Sequence, residues 1–240
     1  MTLCLVHTRN VPSMGEQLIM ATDSLITGGF DYPHGTKLLL FQRKDCALCW
    51  EGDTFFSYCF CENIRNDIDY SDYLSTEGSD LHGPLKRIVM IANDLWGANQ
   101  RDKNSNYHNA EFSFIFAGYS YRLKKILAWH VQQDDHRDFR SIEIPELSKP
   151  KFIGTEDARK AAEKLVESCA ISPYQALVRI IDENKYRNVG GIPQIVTIDR
   201  RGVEPIGILK QNRRYLFGRE LNSGGHFTKI RYINYDGADL

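Results

Sequence analysis

Leu18-Ile19-Met20-Ala21-Thr22-Asp23-Ser24 is an apolar run that turns polar at its end, the pattern of a half-buried strand running out at a sheet edge. Working outward from it, a shorter apolar run, Thr2-Leu3-Cys4-Leu5-Val6, lies upstream. Downstream, a Gly/Pro/His turn at Tyr32 to Thr36 leads into Lys37-Leu38-Leu39-Leu40-Phe41, a second half-buried strand. A third, Cys46-Ala47-Leu48-Cys49-Trp50, enters Glu51-Gly52-Asp53 and then a helix. Strands therefore open the chain, and the first candidate chemistry sits at their ends.

Thr2 follows Met1 directly. Aminopeptidases remove methionine readily before a small residue, and removal would leave one residue carrying both a hydroxyl and a free α-amine. Nucleophile and base would then be the same residue. An α-amine titrates near about pH 8, so at neutral pH enough is unprotonated to accept the hydroxyl proton. An ordinary strand residue is the other reading of Thr2. Lys37, close to such an amine, would be a like charge that disfavours its protonation. Asp23 would hold Lys37 charged and oriented, since a partly buried ammonium needs a partner. A purely structural ion pair between adjacent strands uses the same two side chains.

With those residues in view, the chain resembles the proteasome β-subunit family, including its bacterial ring-forming relatives. The matching residues are Thr2, then Ile19-Met20-Ala21-Thr22-Asp23-Ser24-Leu25-Ile26-Thr27, Gly35-Thr36-Lys37-Leu38 and Cys49-Trp50-Glu51-Gly52-Asp53. The resemblance implies a catalytic centre of Thr2, Asp23 and Lys37. It implies an oxyanion donor at the backbone N–H of Cys49, where the family carries glycine, and a supporting hydroxyl at Thr155 after Gly154 in place of a G-S-G turn. The family's D-x-x-S-G-G loop falls on Tyr186-Arg187-Asn188-Val189-Gly190-Gly191, with Tyr186 and Val189 at its two polar positions.

Length and composition bound the rest. The chain has 240 residues, 42% of them hydrophobic, enough for one large core, and no Pro/Ser-rich linker divides it. A formal charge of -1 argues against a general polyanion binder. No apolar stretch approaches a membrane span and the N-terminus lacks a secretory pattern, so a cytoplasmic protein is expected. The six cysteines then read as reduced thiols. Cys46 and Cys49 have CxxC spacing, but residues three apart in a strand face opposite sides, so buried structural thiols are expected and no metal. The histidines form no ligand set, and Gln132 to Asp138 reads as a turn.

Helical spacing predicts helices from Asp53 to about Asn63, Pro84 to about Trp96, Glu156 to Glu167, and Pro173 to Asn184. The last carries a capping box from Ser172 to Gln175. Strands are predicted at Phe112 to Ala117, Lys125 to Val131, Arg140 to Ile144, Gln194 to Asp199 and Val203 to Leu209, the last two as a hairpin around Arg200-Arg201-Gly202. Asp67 to Gly83 and Gly97 to Asn109, with Tyr70, Tyr73 and Tyr107, read as loops. This order fits an α+β fold, a four-layer αββα sandwich, which is the N-terminal-nucleophile hydrolase fold of the resembled family. One such domain is expected over residues 1–210. Residues 211–240, with Arg213-Arg214-Tyr215-Leu216-Phe217 and the basic aromatic run Phe227 to Tyr235, form a C-terminal extension that packs on the domain or on a neighbouring subunit, in preference to binding nucleic acid.

The expected activity is that of a threonine-type peptidase hydrolysing peptide amide bonds in a peptide or unfolded protein, without a cofactor. The alternatives are a catalytically silent proteasome-like assembly subunit and an amidase acting on a small molecule. Homo-oligomers, possibly rings in the sense that the relatives close into them, are expected, since an open cleft of this kind endangers any cytosolic polypeptide.

Overall fold

The computed structural model describes residues 2–28, 30–102, 111–221 and 229–237. The expected positions Tyr107 and Phe227, and Met1 itself, lie outside them. The chain is mixed α+β, and it divides into two compact units.

The first unit gathers Met1–Leu38, Glu146–Thr197 and Glu204–Leu240. Its strands are β1 (Leu3–Val11), β2 (Gly15–Thr22), β8 (Lys151–Gly154), β9 (Gln194–Asp199), β10 (Gly202–Lys210), β11 (Arg213–Leu216), β12 (Arg219–Glu220) and β13 (Arg231–Asn234). They form one sheet in the order β12-β11-β10-β9-β2-β1-β8, with β13 pairing β10 in parallel. The strands within residues 211–240 are therefore members of this sheet. The β9–β10 hairpin turns at Arg200-Arg201 as expected, and its tip, Ile198–Val203, groups with the second unit. β1 and β2 are antiparallel, with Cys4 opposite Thr22 and His7 opposite Ile19.

Helices α3 (Glu156–Cys169) and α4 (Pro173–Glu183) cover this sheet. α4 begins as its sequence dictates: Ser172 accepts from Gln175 N–H while the Gln175 side chain accepts from Ser172 N–H, and Pro173 supplies a preset φ. Its buried stripe includes Tyr174, Leu177, Val178 and Ile181. That stripe meets Leu3, Leu5, Ile19 and Ala21 from the sheet, with Ala158 and Ala162 of α3, in one apolar core. β8 was not expected. It holds only two apolar residues, Phe152 and Ile153, too few to show a strand period, and it is a strand because β1 offers it an edge.

The second unit holds Leu39–Pro145 and Ile198–Val203. Its sheet runs β3-β4-β5-β6-β7, from β3 (Leu38–Leu40), β4 (Cys46–Gly52), β5 (Phe112–Ser120), β6 (Lys125–Gln133) and β7 (Phe139–Glu143), with β4 to β7 antiparallel throughout. Helices α1 (Thr54–Asp69) and α2 (His82–Arg101) pack on an aromatic core that includes Trp50, Phe60, Trp96, Phe112, Phe114 and Phe116. Asp53 caps α1 by accepting from Phe56 N–H at 3.0 Å.

Both helices outrun their expected ends. α1 passes Asn63 because Ile64 and Ile68 continue the stripe begun by Phe56 and Phe60, and all four are buried. α2 passes Gly97 because Ala98, Gln100 and Arg101 are good helix formers, and the cap falls at Asp102. The loops expected at Asp67 to Gly83 and from Gly97 onward are correspondingly shorter, and the former also contains a one-turn 3₁₀ helix, Glu77–Ser79.

Cys46 packs into the aromatic core from β4, and burial pushes its thiol pKa up. Cys49 is fully buried three residues on. No described helix is long and apolar enough to cross a membrane.

Candidate active site

Asp23 lies one residue beyond the end of β2, where the ladder to β1 would otherwise stop. It continues the pairing in a different way. Its N–H donates to Leu3 O at 3.3 Å, and its carboxylate Oδ1 accepts from Leu3 N–H at 3.0 Å. The other oxygen, Oδ2, accepts from Leu25 N–H and from Gly190 N–H, each at 3.1 Å. Lys37 Nζ completes the shell, 3.0 Å from both oxygens. Asp23 is 0% exposed and Lys37 1%. A buried carboxylate is tolerable only when its lone pairs are filled and its charge is matched, and here five donor contacts do both.

Lys37 is aimed by its own backbone. It stands at the entry to β3, and its N–H donates to Gln194 Oε1 at 3.0 Å while the Gln194 amide donates to Gly35 O. Ser24 ties the same segments from the other side. Its hydroxyl donates to Pro33 O at 2.6 Å and accepts from Ile192 N–H at 2.9 Å. Gly191 has φ +79, and a Cβ there would stand 2.3 Å from Ser24 Oγ, so this loop needs glycine on two counts. Segments 23–25, 33–37 and 190–194 thus form one interlocked scaffold around a single ion pair.

Thr2 sits at the same end of β1. It is 1% exposed, and its carbonyl accepts from Thr155 N–H at 3.0 Å. Gly154, at φ +128, allows that approach, since a Cβ at this position would lie 1.9 Å from Thr2 O. Thr155 starts α3, yet its hydroxyl makes no cap bond. Its Oγ1 is buried without a hydrogen-bond partner. The hydroxyl belongs to the residue whose N–H binds the Thr2 carbonyl, and it is open to a further hydrogen bond.

Of the residues predicted from sequence, the first unit brings Asp23 and Lys37 into direct contact, with Thr2 one residue from Leu3, whose amide Asp23 binds, and Thr155 on the Thr2 carbonyl. Cys49 belongs to the second unit, within β4 opposite Ile115. The D-x-x-S-G-G positions divide. Gly190 and Gly191 serve the site through their backbones, whereas Val189 is fully buried in the helix-covered core and Tyr186 packs against it.

No protein-family model and no curated protein matches this chain.

Sequence reasoning missed Gln194 and gave Ser24 no role. Gln194 opens a strand after a proline, a position where polar residues are common, and nothing local marks it as a ligand of Lys37. Among the described residues, no group of three or more His, Cys, Asp or Glu side chains is placed to hold a metal ion. Beside the scaffold, Thr27 Oγ1 donates to Asn188 Oδ1 at 3.1 Å, and these two residues with Phe30, Asp31 and Arg187 line an open cleft of about 510 Å³. It has room for a substrate side chain and carries both charges on its walls.

Proposed function

We propose that this chain is an N-terminal threonine hydrolase of the proteasome β-subunit type, cleaving peptide amide bonds once Met1 has been removed. One observation carries this reading: a fully buried Lys37–Asp23 pair is bonded directly to the amide of Leu3, the residue that follows Thr2. A pair needed only for stability has no reason to be built there, since a buried ion pair is seldom more stabilising than apolar packing. Next to a freed Thr2 amine, the Lys37 charge would keep that amine unprotonated and Asp23 would keep Lys37 in place.

In the proposed reaction Thr2 Oγ attacks the substrate carbonyl carbon while the Thr2 amine takes the hydroxyl proton. The amine then returns that proton to the departing amine of the substrate. An ester to Thr2 remains, and water, deprotonated by the same amine, hydrolyses it and restores the hydroxyl. The Thr27–Asn188 cleft would take a substrate side chain. The family reading also carries the four-layer αββα arrangement and self-association, the latter because relatives of this type shelter the cleft by closing into rings.

A second reading, a catalytically silent subunit of the same type, is favoured by one specific observation. The two loop positions at which the family places polar side chains are here Tyr186 and Val189, both turned to the apolar core.

Intact mass separates the readings first, because loss of one methionine is required for activity. Turnover of a fluorogenic peptide panel by the processed chain, abolished in Thr2→Ala and partly kept in Thr2→Ser, is the expected result. Unchanged turnover in Thr2→Ala refutes the mechanism. Retention of Met1 with no turnover leaves the silent subunit. Light scattering at micromolar concentration should give a multiple of the 27.6 kDa chain mass. A monomer that still cuts peptides would refute the sheltered-cleft picture.

A further inference from the structure

β11 and β12 form a hairpin in which Leu216 pairs with Arg219, leaving Phe217 and Gly218 as a two-residue turn. Their φ angles are 48 and 77, both in the left-handed region, as a type I′ turn requires. Turns of this kind run over the surface, yet Gly218 is buried. What it meets is the scaffold of the candidate site. A Cβ at Gly218 would stand 2.4 Å from Ser24 Cβ, 2.8 Å from Ser24 Oγ and 3.4 Å from Gln194 Nε2. The Gly218 carbonyl also accepts from His34 Nδ1 at 2.9 Å; a carbonyl can only accept, so the ring nitrogen donates. One turn thus touches Ser24, Gln194 and His34 together.

Ser24 and Gln194 are the residues that fasten segment 33–37 to segment 190–194. Ser24 binds Pro33 O and Ile192 N–H through its hydroxyl, and its carbonyl accepts from Gly35 N–H at 2.9 Å. Gln194 binds Lys37 N–H and Gly35 O. His34 lies within the first of these segments, three residues before Lys37. Ser24 also adjoins Asp23, so its backbone carries one partner of the ion pair and its bonds hold the loop that carries the other. With a short side chain and both hydroxyl bonds used, Ser24 has little room to swing aside. Non-bonded carbons rest about 3.5–4.0 Å apart, so any side chain at residue 218 must move Ser24 or lift the hairpin by about 1 Å. The hairpin is itself anchored in the sheet that holds Gln194, since β11 pairs β10 and β10 pairs β9.

We infer that the β11–β12 hairpin is a positioning element of the Asp23–Lys37 pair, with Gly218 and His34 as its positioning residues. Gly218 sets how closely the turn approaches Ser24 and Gln194, and His34 ties the loop before Lys37 to the turn. The C-terminal segment is then part of what builds the site. That the pair serves catalysis rests on the proposed hydrolase function. That the hairpin holds the pair in place does not, and it is read from the scaffold's amides.

Amide hydrogen exchange on the full chain tests this without turnover. The probes are the N–H groups of Gly35, Lys37, Gly190 and Ile192, each bonded within the scaffold. Gly218→Ala should speed their exchange ~10-fold or more, because local opening becomes easier. On the peptide panel it should lower kcat on the order of 100-fold with KM unchanged, the effect of misplacing a catalytic group by about 1 Å. Gly15→Ala is the control for backbone strain alone, since Gly15 has φ +84 and open space where a Cβ would stand. It should change neither quantity. His34→Ala should raise exchange about 5-fold, the worth of one hydrogen bond, and His34→Asn should restore it because its amide also donates. This second pair decides the matter if Gly218→Ala does not fold. Faster exchange in Gly218→Ala together with no turnover by wild type would support the positioning role and refute the hydrolase reading. Wild-type exchange in both Gly218→Ala and His34→Ala, an equal rise in Gly15→Ala, or no recovery in His34→Asn would overturn the inference.

Discussion

Replacing Lys37 by methionine removes the charge and keeps most of the side-chain volume, which isolates the electrostatic part of the site. Lys37 and Asp23 are 1% and 0% exposed, so solvent screens neither. Deleting one partner of such a pair costs about 3–5 kcal/mol, because a carboxylate stays buried without its countercharge. Asp23 would keep three amide donors, from Leu3, Leu25 and Gly190, which compensate part of that loss. The low end, ~3 kcal/mol, is therefore expected. Urea unfolding with an unchanged slope should show the midpoint fall accordingly. The double variant Lys37→Met with Asp23→Asn should lose less than the sum of the two single changes, since it strands no charge. Peptide turnover should vanish in Lys37→Met, and Lys37→Arg should not restore it, because a planar fork cannot occupy the place of a compact ammonium. A Lys37→Met cost under ~1 kcal/mol, the size found for exposed pairs, would refute the buried-pair argument, and additive single changes would do the same.

Thr155→Val deletes a hydroxyl that has no partner, so stability should stay level or rise slightly, while turnover should drop if that hydroxyl serves the Thr2 amine; denaturant melts and peptide kinetics on one sample check both. His7 titrates near 4 in place of 6.5, mainly through burial and secondarily through the charge of Arg9, with a backbone hydrogen bond to Thr8 opposing both. Since the folded value lies below the unfolded one, the unfolded chain binds the extra proton. Stability from this residue is complete above pH 6.5 and falls as pH drops toward 4, by about 3 kcal/mol in all. Unfolding across that range should show the loss in wild type and not in His7→Gln, and parallel curves for the two would refute it.

The sequence by itself determined what depends on near neighbours. Asp53 before Phe56, Ser172 with Gln175, and the stripes Phe56-Phe60-Ile64-Ile68 and Tyr174-Leu177-Val178-Ile181 set helix starts and buried faces through contacts three or four residues apart, where residue type and spacing are the physical cause. Even there the tertiary structure decided the end of α1, because Ile64 and Ile68 extend the helix where its last turns pack on the aromatic core. Asp23 and Lys37 were legible as a pair since both are ionisable and each closes or opens an apolar run. What completes their site was not legible. Gly190 N–H and Gln194 reach it from more than 150 residues away in the chain, and the separation is 167 for Gly190 to Asp23 and 157 for Lys37 to Gln194. A backbone amide leaves no signature in a sequence, and a glutamine serves a hundred other purposes.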